Sequence, residues 1–317
     1  MRSEPRLALG AVALALLSAL FFTSTYVLNR AAALDGGHWA WTASLRYVWT
    51  VPLMLPLMHG RWAPLWRAMR AHPGAWLLWS GVGFVLFYIA LSYAAASGPA
   101  WLIAGTFQLT VVAGMLCAPL LYRDARRRIP RAALVCGLLA FGGVLLMQAA
   151  QAGGRLDREA WIALGCVAVS AFAYPLGNRG LLLHLERAGI ELDATQRVFG
   201  LSLASLPLWL PVVAYAQVEA GAPPLRQVAL AGGVALGAGI VATVLFFRAT
   251  GLVRRDPVAL AAAEAMQAAE ILFATLISAA WLGEAWPRGI AALGAGVVVL
   301  AILLFSALVA RREAPRD

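Results

Sequence analysis

Ten runs of predominantly apolar residues, separated by short polar connections, make up most of the 317-residue chain. Their approximate limits are Leu7–Leu28, Trp39–Met58, Gly74–Ala95, Pro99–Tyr122, Pro130–Ala150, Ala160–Leu182, Thr195–Tyr215, Leu225–Gly251, Pro257–Gly283 and Pro287–Ala310. Each approaches the twenty or so residues that carry an α-helix across a bilayer. The third and fourth are joined only by a tight turn around Ser97-Gly98-Pro99. The pattern predicts an all-α integral membrane protein of ten transmembrane helices, for which lipid rather than water sets the rules of burial.

The polar residues between the runs fix an orientation. All 25 basic residues are arginine. Numbering the connections from the amino terminus puts 19 arginines on the terminal side and five on the other, with Arg46 inside the second run. By the positive-inside rule both termini are cytoplasmic, as an even number of crossings requires. In a bacterium this is the inner membrane, crossed many times.

The pattern also repeats. Val27-Leu28-Asn29-Arg30 ends the first run and Leu176-Gly177-Asn178-Arg179 ends the sixth. Ser44-Leu45-Arg46-Tyr47 through Pro52 and Pro56 is echoed by Thr195-Gln196-Arg197-Val198 through Pro207 and Pro211. Phe87-Tyr88 through Pro99 to Gln108 is echoed by Phe246-Phe247 through Pro257 to Gln267. The chain therefore divides into two five-helix repeats, residues 1–152 and 153–317. An odd number of spans per half inserts the halves in opposite orientations, the arrangement of secondary transporters with a substrate site near the midplane.

Composition agrees: 62% of residues are hydrophobic, 13% charged, and mean hydropathy is +0.78. Soluble domains are about half apolar and a quarter charged. The net charge of +10 is a topology signal and not a nucleic-acid groove, because nearly all the arginines fall between the runs. Cys117, Cys136 and Cys166 lie inside apolar runs without CxxC spacing, so they read as small core residues, with neither a disulfide framework nor a zinc site. The amino-terminal run continues through Phe21, Phe22 and Tyr26 to Asn29 and reads as a retained first helix.

Candidate chemistry concentrates in the ninth run, PVALAAAEAMQAAEILFATLISAAW, which carries Glu264, Gln267 and Glu270 at i, i+3 and i+6. That spacing makes one polar stripe on a helix. Glu270 falls roughly 20 Å along the helix from Pro257, near mid-membrane. An ionised carboxylate there costs about 2.5–3.5 kcal/mol. As transport groups, Glu264 and Glu270 would exchange a proton for a cationic substrate group; as structural groups they would be permanently bonded within the bundle. Gln108, the repeat counterpart of Gln267, either faces the same cavity or bonds between helices. Arg46 either meets a carboxylate or an anionic substrate, or snorkels to the interface. Arg197, after Glu191 and Asp193, reads as a surface ion pair.

Tyr174-Pro175 is expected to break or kink the sixth helix. Tyr174 would then line the cavity with Trp101 and Tyr88, the last two being equally compatible with core packing. Trp39, Trp41, Trp62, Trp66, Trp76, Trp79, Trp281 and Trp286 read as an interfacial belt. Glu284 reads as an outer-end charge of little cost. The four histidines show no ligand spacing.

Several stretches together carry a family resemblance. They are Gly36-Gly37-His38-Trp39-Ala40-Trp41 with Ser44-Leu45-Arg46-Tyr47, Trp76-Leu77-Leu78-Trp79 with Gly83-Phe84, and Trp101-Leu102-Ile103-Ala104-Gly105-Thr106. Further on come Phe172-Ala173-Tyr174-Pro175-Leu176-Gly177-Asn178-Arg179, Gln196-Arg197 and Ala242-Thr243-Val244-Leu245-Phe246-Phe247. They span almost the whole chain. The sequence resembles the drug/metabolite transporter superfamily, and within it the putative multidrug resistance efflux transporter family. The resemblance implies transport more firmly than it implies drugs. Met266 stands where that family more often carries Thr, which alters local hydrogen bonding and not the fold.

The resulting expectation is a secondary transporter, without a cofactor, that exports small hydrophobic or cationic organic compounds by alternating access. Protons would be exchanged at Glu270 and Glu264, and the partners would be the bilayer and a small-molecule substrate. The alternative is an uncoupled exporter or facilitator of metabolites such as amino acids. A membrane-embedded enzyme is disfavoured: the connections hold mainly arginine, with no P-loop and no GxSxG.

Overall fold

A computed structural model describes residues 4–123, 131–151, 158–253, 263 and 265–313. Among them all regular structure is helical. Helix α1 runs as Glu4–Phe22 and Ser24–Leu34, α2 is Trp39–Met54 with a 3-10 turn Leu55–Met58, and α3 is the short Trp62–Ala71. Pro73–Ser97 is α4, and α5 comprises Ala100–Phe107, Leu109–Leu116 and Ala118–Leu121. Then come α6 (Arg131–Gln151), α7 (Arg158–Arg187), α8 (Ala194–Ala220), α9 (Leu225–Leu252), α10 (Met266–Leu282) and α11 (Ile290–Glu313). Among the described residues five segments are long and apolar enough to cross a membrane: residues 9–34 of α1, α4, residues 161–187 of α7, α8 and α9; α6, α10 and α11 contain shorter apolar helices.

Local sequence explains where the helices begin and end. His38 accepts from the Ala40 amide to open α2, Pro73 sits in the first turn of α4, and Asp193 with Gln196 forms a capping box at α8. Gly283, at φ +67, ends α10 in the left-handed conformation that costs glycine least. The helix α3, where only a connection was expected, buries Leu65 and Ala68 and exposes Trp62, Trp66, Arg67 and Arg70. That is the division of a helix lying at an interface.

Of the break or kink expected at Tyr174-Pro175, the break does not occur: α7 continues through Pro175. Proline withdraws the donor that would have met the Ala171 carbonyl. The Thr110 hydroxyl of α5 donates to that carbonyl at 3.1 Å instead.

Packing follows a regular scheme. Helix α4 packs on α7 and α9 on α1; α2 on α9 and α8 on α4; α5 on α7 and α10 on α1; and the pairs α2–α8, α5–α10 and α6–α11 face each other. Both α4 and α9 contain a π-helical stretch, Gly81–Leu86 and Ala235–Ala242. At the first, the α4 and α7 backbones touch, and a Cβ placed on Gly83 would lie 2.9 Å from the Gly177 Cα. At the second, a Cβ on Gly237 would lie 2.7 Å from the Ser24 hydroxyl of α1. Small residues let helices approach where lipid supplies no hydrophobic drive between them.

The central core gathers Tyr47, Trp76, Tyr88, Phe199 and Trp209. Trp76 is not a belt residue: it is 1% exposed and packs beneath Gly200 of α8. Replacing Trp76 with alanine is expected to lower stability by about 3–5 kcal/mol, the range for deleting a buried tryptophan. Reversible denaturation of detergent-purified protein measures it; a loss below about 1 kcal/mol would show that the ring is not in the core.

Candidate functional site

A cavity of about 80 Å³ lies where α1, α2, α4, α7, α8 and α9 meet. Its wall takes Phe22 from α1, Arg46, Tyr47 and Thr50 from α2, Phe84 and Phe87 from α4, Tyr174 and Asn178 from α7, Val198 and Ser202 from α8, and Thr243 and Phe247 from α9. Two of these elements arrive by the π-helical stretches, which contribute Phe84, Ala238 and Gly239 to the wall. Such stretches are uncommon and recur at functional sites.

Arg46 is the charged group on this wall. Its guanidinium lies over the Tyr88 ring, 4.0 Å from the centroid, and 5.5 Å from the Tyr47 centroid. Its Nη1 is enclosed and has no hydrogen-bond partner among the described residues. It therefore does not snorkel to an interface. Tyr88 stands behind it, fully buried, and shares a hydrogen bond with Asn29 of α1 at 2.9–3.1 Å. Tyr47 stacks on Trp209 with centroids 5.2 Å apart, and Tyr174 meets Phe87 at 4.9 Å.

Glu270 lies beyond this layer, off the cavity wall. It is 6% exposed, follows a 3-10 turn over Met266–Ala268, and accepts a hydrogen bond from the Tyr26 hydroxyl at 2.8 Å. Gln267 is partly buried, and its amide nitrogen lacks a partner among the described residues. Gln108 is buried in α5 and is not on the wall. Trp101 packs with Leu102, Val144 and Met147 in a second core cluster, also away from the wall. Glu264 lies outside the described residues.

A set of polar contacts joins the helices at one end of the bundle. Arg30 pairs with Glu284 at 3.0 Å and donates to the Ala96 carbonyl, while the other Glu284 oxygen accepts from the Ala100 amide at 2.9 Å. Asp35 pairs with Arg226, Trp41 donates to the Gly221 carbonyl, and Gln227 donates to His38 and Thr42. The Glu284 side chain is 7% exposed, so the expectation of a cheap surface charge is corrected: its turn folds back over the start of α5. Arg197 also differs from expectation. It donates to the Leu192 carbonyl, and Asp193 pairs with Arg61 instead. Among the described residues no three His, Cys, Asp or Glu side chains converge as a metal site would need.

Sequence reasoning missed Tyr26, Tyr47, Thr50 and Ser202, and used Asn29 and Asn178 only as repeat markers. The available signal was a polar residue inside an apolar run; the partner, 244 positions away for Tyr26, was not readable.

Comparison with known proteins places these features in a family. The family model described as "EmrE: Putative multidrug resistance efflux transporter" matches residues 9–311. The "Uncharacterized protein YjlA" of Bacillus subtilis (strain 168) is 41% identical over 305 residues, 93% of each chain. The "Uncharacterized 42.1 kDa protein in intracellular alkaline protease 3'region" of Shouchella clausii is 38% identical over 255 residues, 78% of this chain and 66% of that protein. A solved structure known only as "Crystal structure of protein" shares the fold at TM-score 0.61 and 20% identity, covering 96% of this chain and 99% of the other.

Proposed function

The chain belongs to the putative multidrug resistance efflux transporter family, and from that premise we propose that it is a secondary transporter that exports small organic compounds by alternating access around the Arg46 cavity. On this reading the ten runs form two inverted five-helix halves, residues 1–152 and 153–317, with both termini cytoplasmic in the inner membrane of a bacterium. The packing scheme supports it: exchanging α1, α2, α4, α5 and α6 for α7, α8, α9, α10 and α11 carries α4–α7 onto α9–α1, α2–α9 onto α8–α4 and α5–α7 onto α10–α1. The cavity takes its wall from both halves, the position expected for a transported substrate.

The observation that carries the reading is the asymmetry along the bundle. Among the described residues Arg30–Glu284, Asp35–Arg226 and the Gln227 contacts tie one end, the other is tied by the exposed Arg61–Asp193 pair and the Gln196 bond to the Arg61 carbonyl, and the cavity lies nearer the latter. There α8 contributes Val198 and Ser202 within roughly 12 Å of its start at Ala194. With the termini inside, the Arg30–Glu284 end is external and the cavity lies nearer the cytoplasm. Glu270 supplies a group able to carry a proton, with Glu264 as the second candidate on the same helix.

Purified protein in liposomes is expected to give saturable flux of a small organic compound that stops when a cysteine pair at positions 30 and 284 is cross-linked. Flux unaffected by that cross-link would overturn alternating access at this end. One observation favours the uncoupled metabolite facilitator as a second reading: the charged group on the wall is Arg46, and Glu270 stands off it. That reading expects counterflow indifferent to a pH gradient.

A further inference from the structure

Helix α3 presents positive charge that no described acidic group neutralises. It packs on α8 through Leu65 and Ala68, with Trp62 meeting Phe199 edge to face at 5.2 Å. Trp66, Arg67 and Arg70 fall within about 100° of arc on the opposite side of the helix. All three are exposed, and the Arg70 guanidinium lies over the Trp66 ring, 4.9 Å from its centroid. Neither arginine pairs with a carboxylate among the described residues. No Asp or Glu occurs in the chain between Asp35 and Asp124, and Asp193, which reaches the start of α3 from across the bundle, is taken by Arg61 at 3.4 Å.

The position of α3 says what meets this face. It joins the end of α2 at Met58 to the start of α4 at Pro73. With 16 residues and a four-residue turn, α2 is about long enough to cross the hydrocarbon core once, which puts α3 at the membrane boundary. Leu55 and Leu57 before it and Leu77 and Leu78 after it are exposed, so apolar outer surface flanks it on both sides. An indole with a guanidinium over it, at that depth, offers a ring to the acyl boundary and a planar donor to phosphate. Resting on the membrane placement above and not on any substrate, we propose that α3 binds the headgroup of an anionic phospholipid of the cytoplasmic leaflet, Arg67 and Arg70 taking the phosphate and Trp66 the glycerol–acyl boundary. A zwitterionic headgroup would bring its ammonium to a face with no free carboxylate, so net negative charge is preferred.

The test is photolabelling of the full chain in nanodiscs. Phosphatidylglycerol and phosphatidylcholine, each carrying a diazirine close to the headgroup, are compared at equal content, and the adducts are mapped by mass spectrometry. Phosphatidylglycerol is expected to label residues 62–70 about tenfold or more above phosphatidylcholine, the order that two arginines near an anionic surface supply. Arg67→Gln combined with Arg70→Gln is expected to bring the two lipids level. Arg187→Gln combined with Arg288→Gln, the same loss of charge at other exposed positions, is expected to leave the preference unchanged. If the Arg67 and Arg70 variant does not fold, the lipid ratio on the unaltered protein decides alone. Equal labelling of the unaltered protein by the two lipids, or a preference that survives in the Arg67 and Arg70 variant, would overturn the proposal. So would a preference lost equally in the control variant, or labelling abolished by inorganic phosphate or glycerol phosphate, which would make this a site for soluble phosphate. Flux in liposomes separates the two readings. Flux without the lipid preference sinks this proposal and leaves transport standing. The lipid preference without flux of any compound sinks transport and leaves the lipid site.

Discussion

Glu270→Gln is expected to abolish concentrative transport driven by a pH gradient while leaving exchange of substrate down its own gradient within a few-fold of the unaltered rate. The argument starts from burial. A carboxylate 6% exposed, whose side chain accepts a hydrogen bond from the Tyr26 hydroxyl, is costly to ionise within a membrane. Glutamine keeps the shape and an oxygen that still accepts from Tyr26, but it cannot gain or lose a proton. The folded state should therefore survive and only the coupling should go. In liposomes loaded at one pH and diluted into another, accumulation should collapse to passive equilibration, a loss of about tenfold or more for a one-unit gradient when one proton moves per substrate. Counterflow at equal pH supplies the control. Accumulation by the variant at the unaltered level would remove Glu270 from the coupling path. Tyr26→Phe completes the series: it strands the carboxylate without its donor, and stability is expected to fall by roughly 1–3 kcal/mol.

The second large effect is structural. Gly177→Leu is expected to yield no monodisperse protein, and Gly177→Ala to cost on the order of 3 kcal/mol, the upper end for overpacking. A Cβ at Gly177 would run into the Gly83 backbone and come within 2.9 Å of the Trp79 carbonyl. Those are main-chain atoms of α4, which cannot rotate away as a side chain would. Gly142 in α6 has open space around it, so Gly142→Ala should be neutral or stabilising by up to about 1 kcal/mol through helix propensity. Elution profiles in detergent and thermal melts measure all three. Equal melting temperatures for Gly177→Ala and Gly142→Ala would mean that the two helices do not meet at this point.

Much of the fold was legible because a helix in lipid announces itself by length and apolarity, properties of one segment alone. The runs through Pro73–Ser97, Ala194–Ala220 and Leu225–Leu252 were visible for that reason. What required a second segment was not visible. Trp76 and Trp281 both sit near run ends, yet one is sealed beneath Gly200 and the other half exposed, because only the first has α8 over it. Pro175 leaves its helix continuous because Thr110, 65 positions earlier, answers the freed carbonyl. Glu284 reads as a surface charge until the turn at Gly283 folds it against Arg30 and Ala100. For the site, the residues rare in apolar runs, Arg46 and Glu270, could be singled out from local pattern. Their partners Tyr88 and Tyr26 are ordinary aromatic residues by any local measure. The polar stripe expected over Glu264, Gln267 and Glu270 assumed an unbroken α-helix, and the 3-10 turn at Met266–Ala268 changes the rotation from Gln267 to Glu270.

The contact of bare backbones at Gly83 and Gly177 also limits how the two helices can move. Sliding is resisted by the interlocked main chains, so tilting about the crossing is the displacement that the contact opposes least. Ser97 lies 14 residues beyond it, roughly 21 Å along the axis, so a tilt of about 10° swings that end by about 4 Å. At Gly237, by contrast, α9 meets the Ser24 side chain of α1, so that crossing is not locked by main chain in the same way.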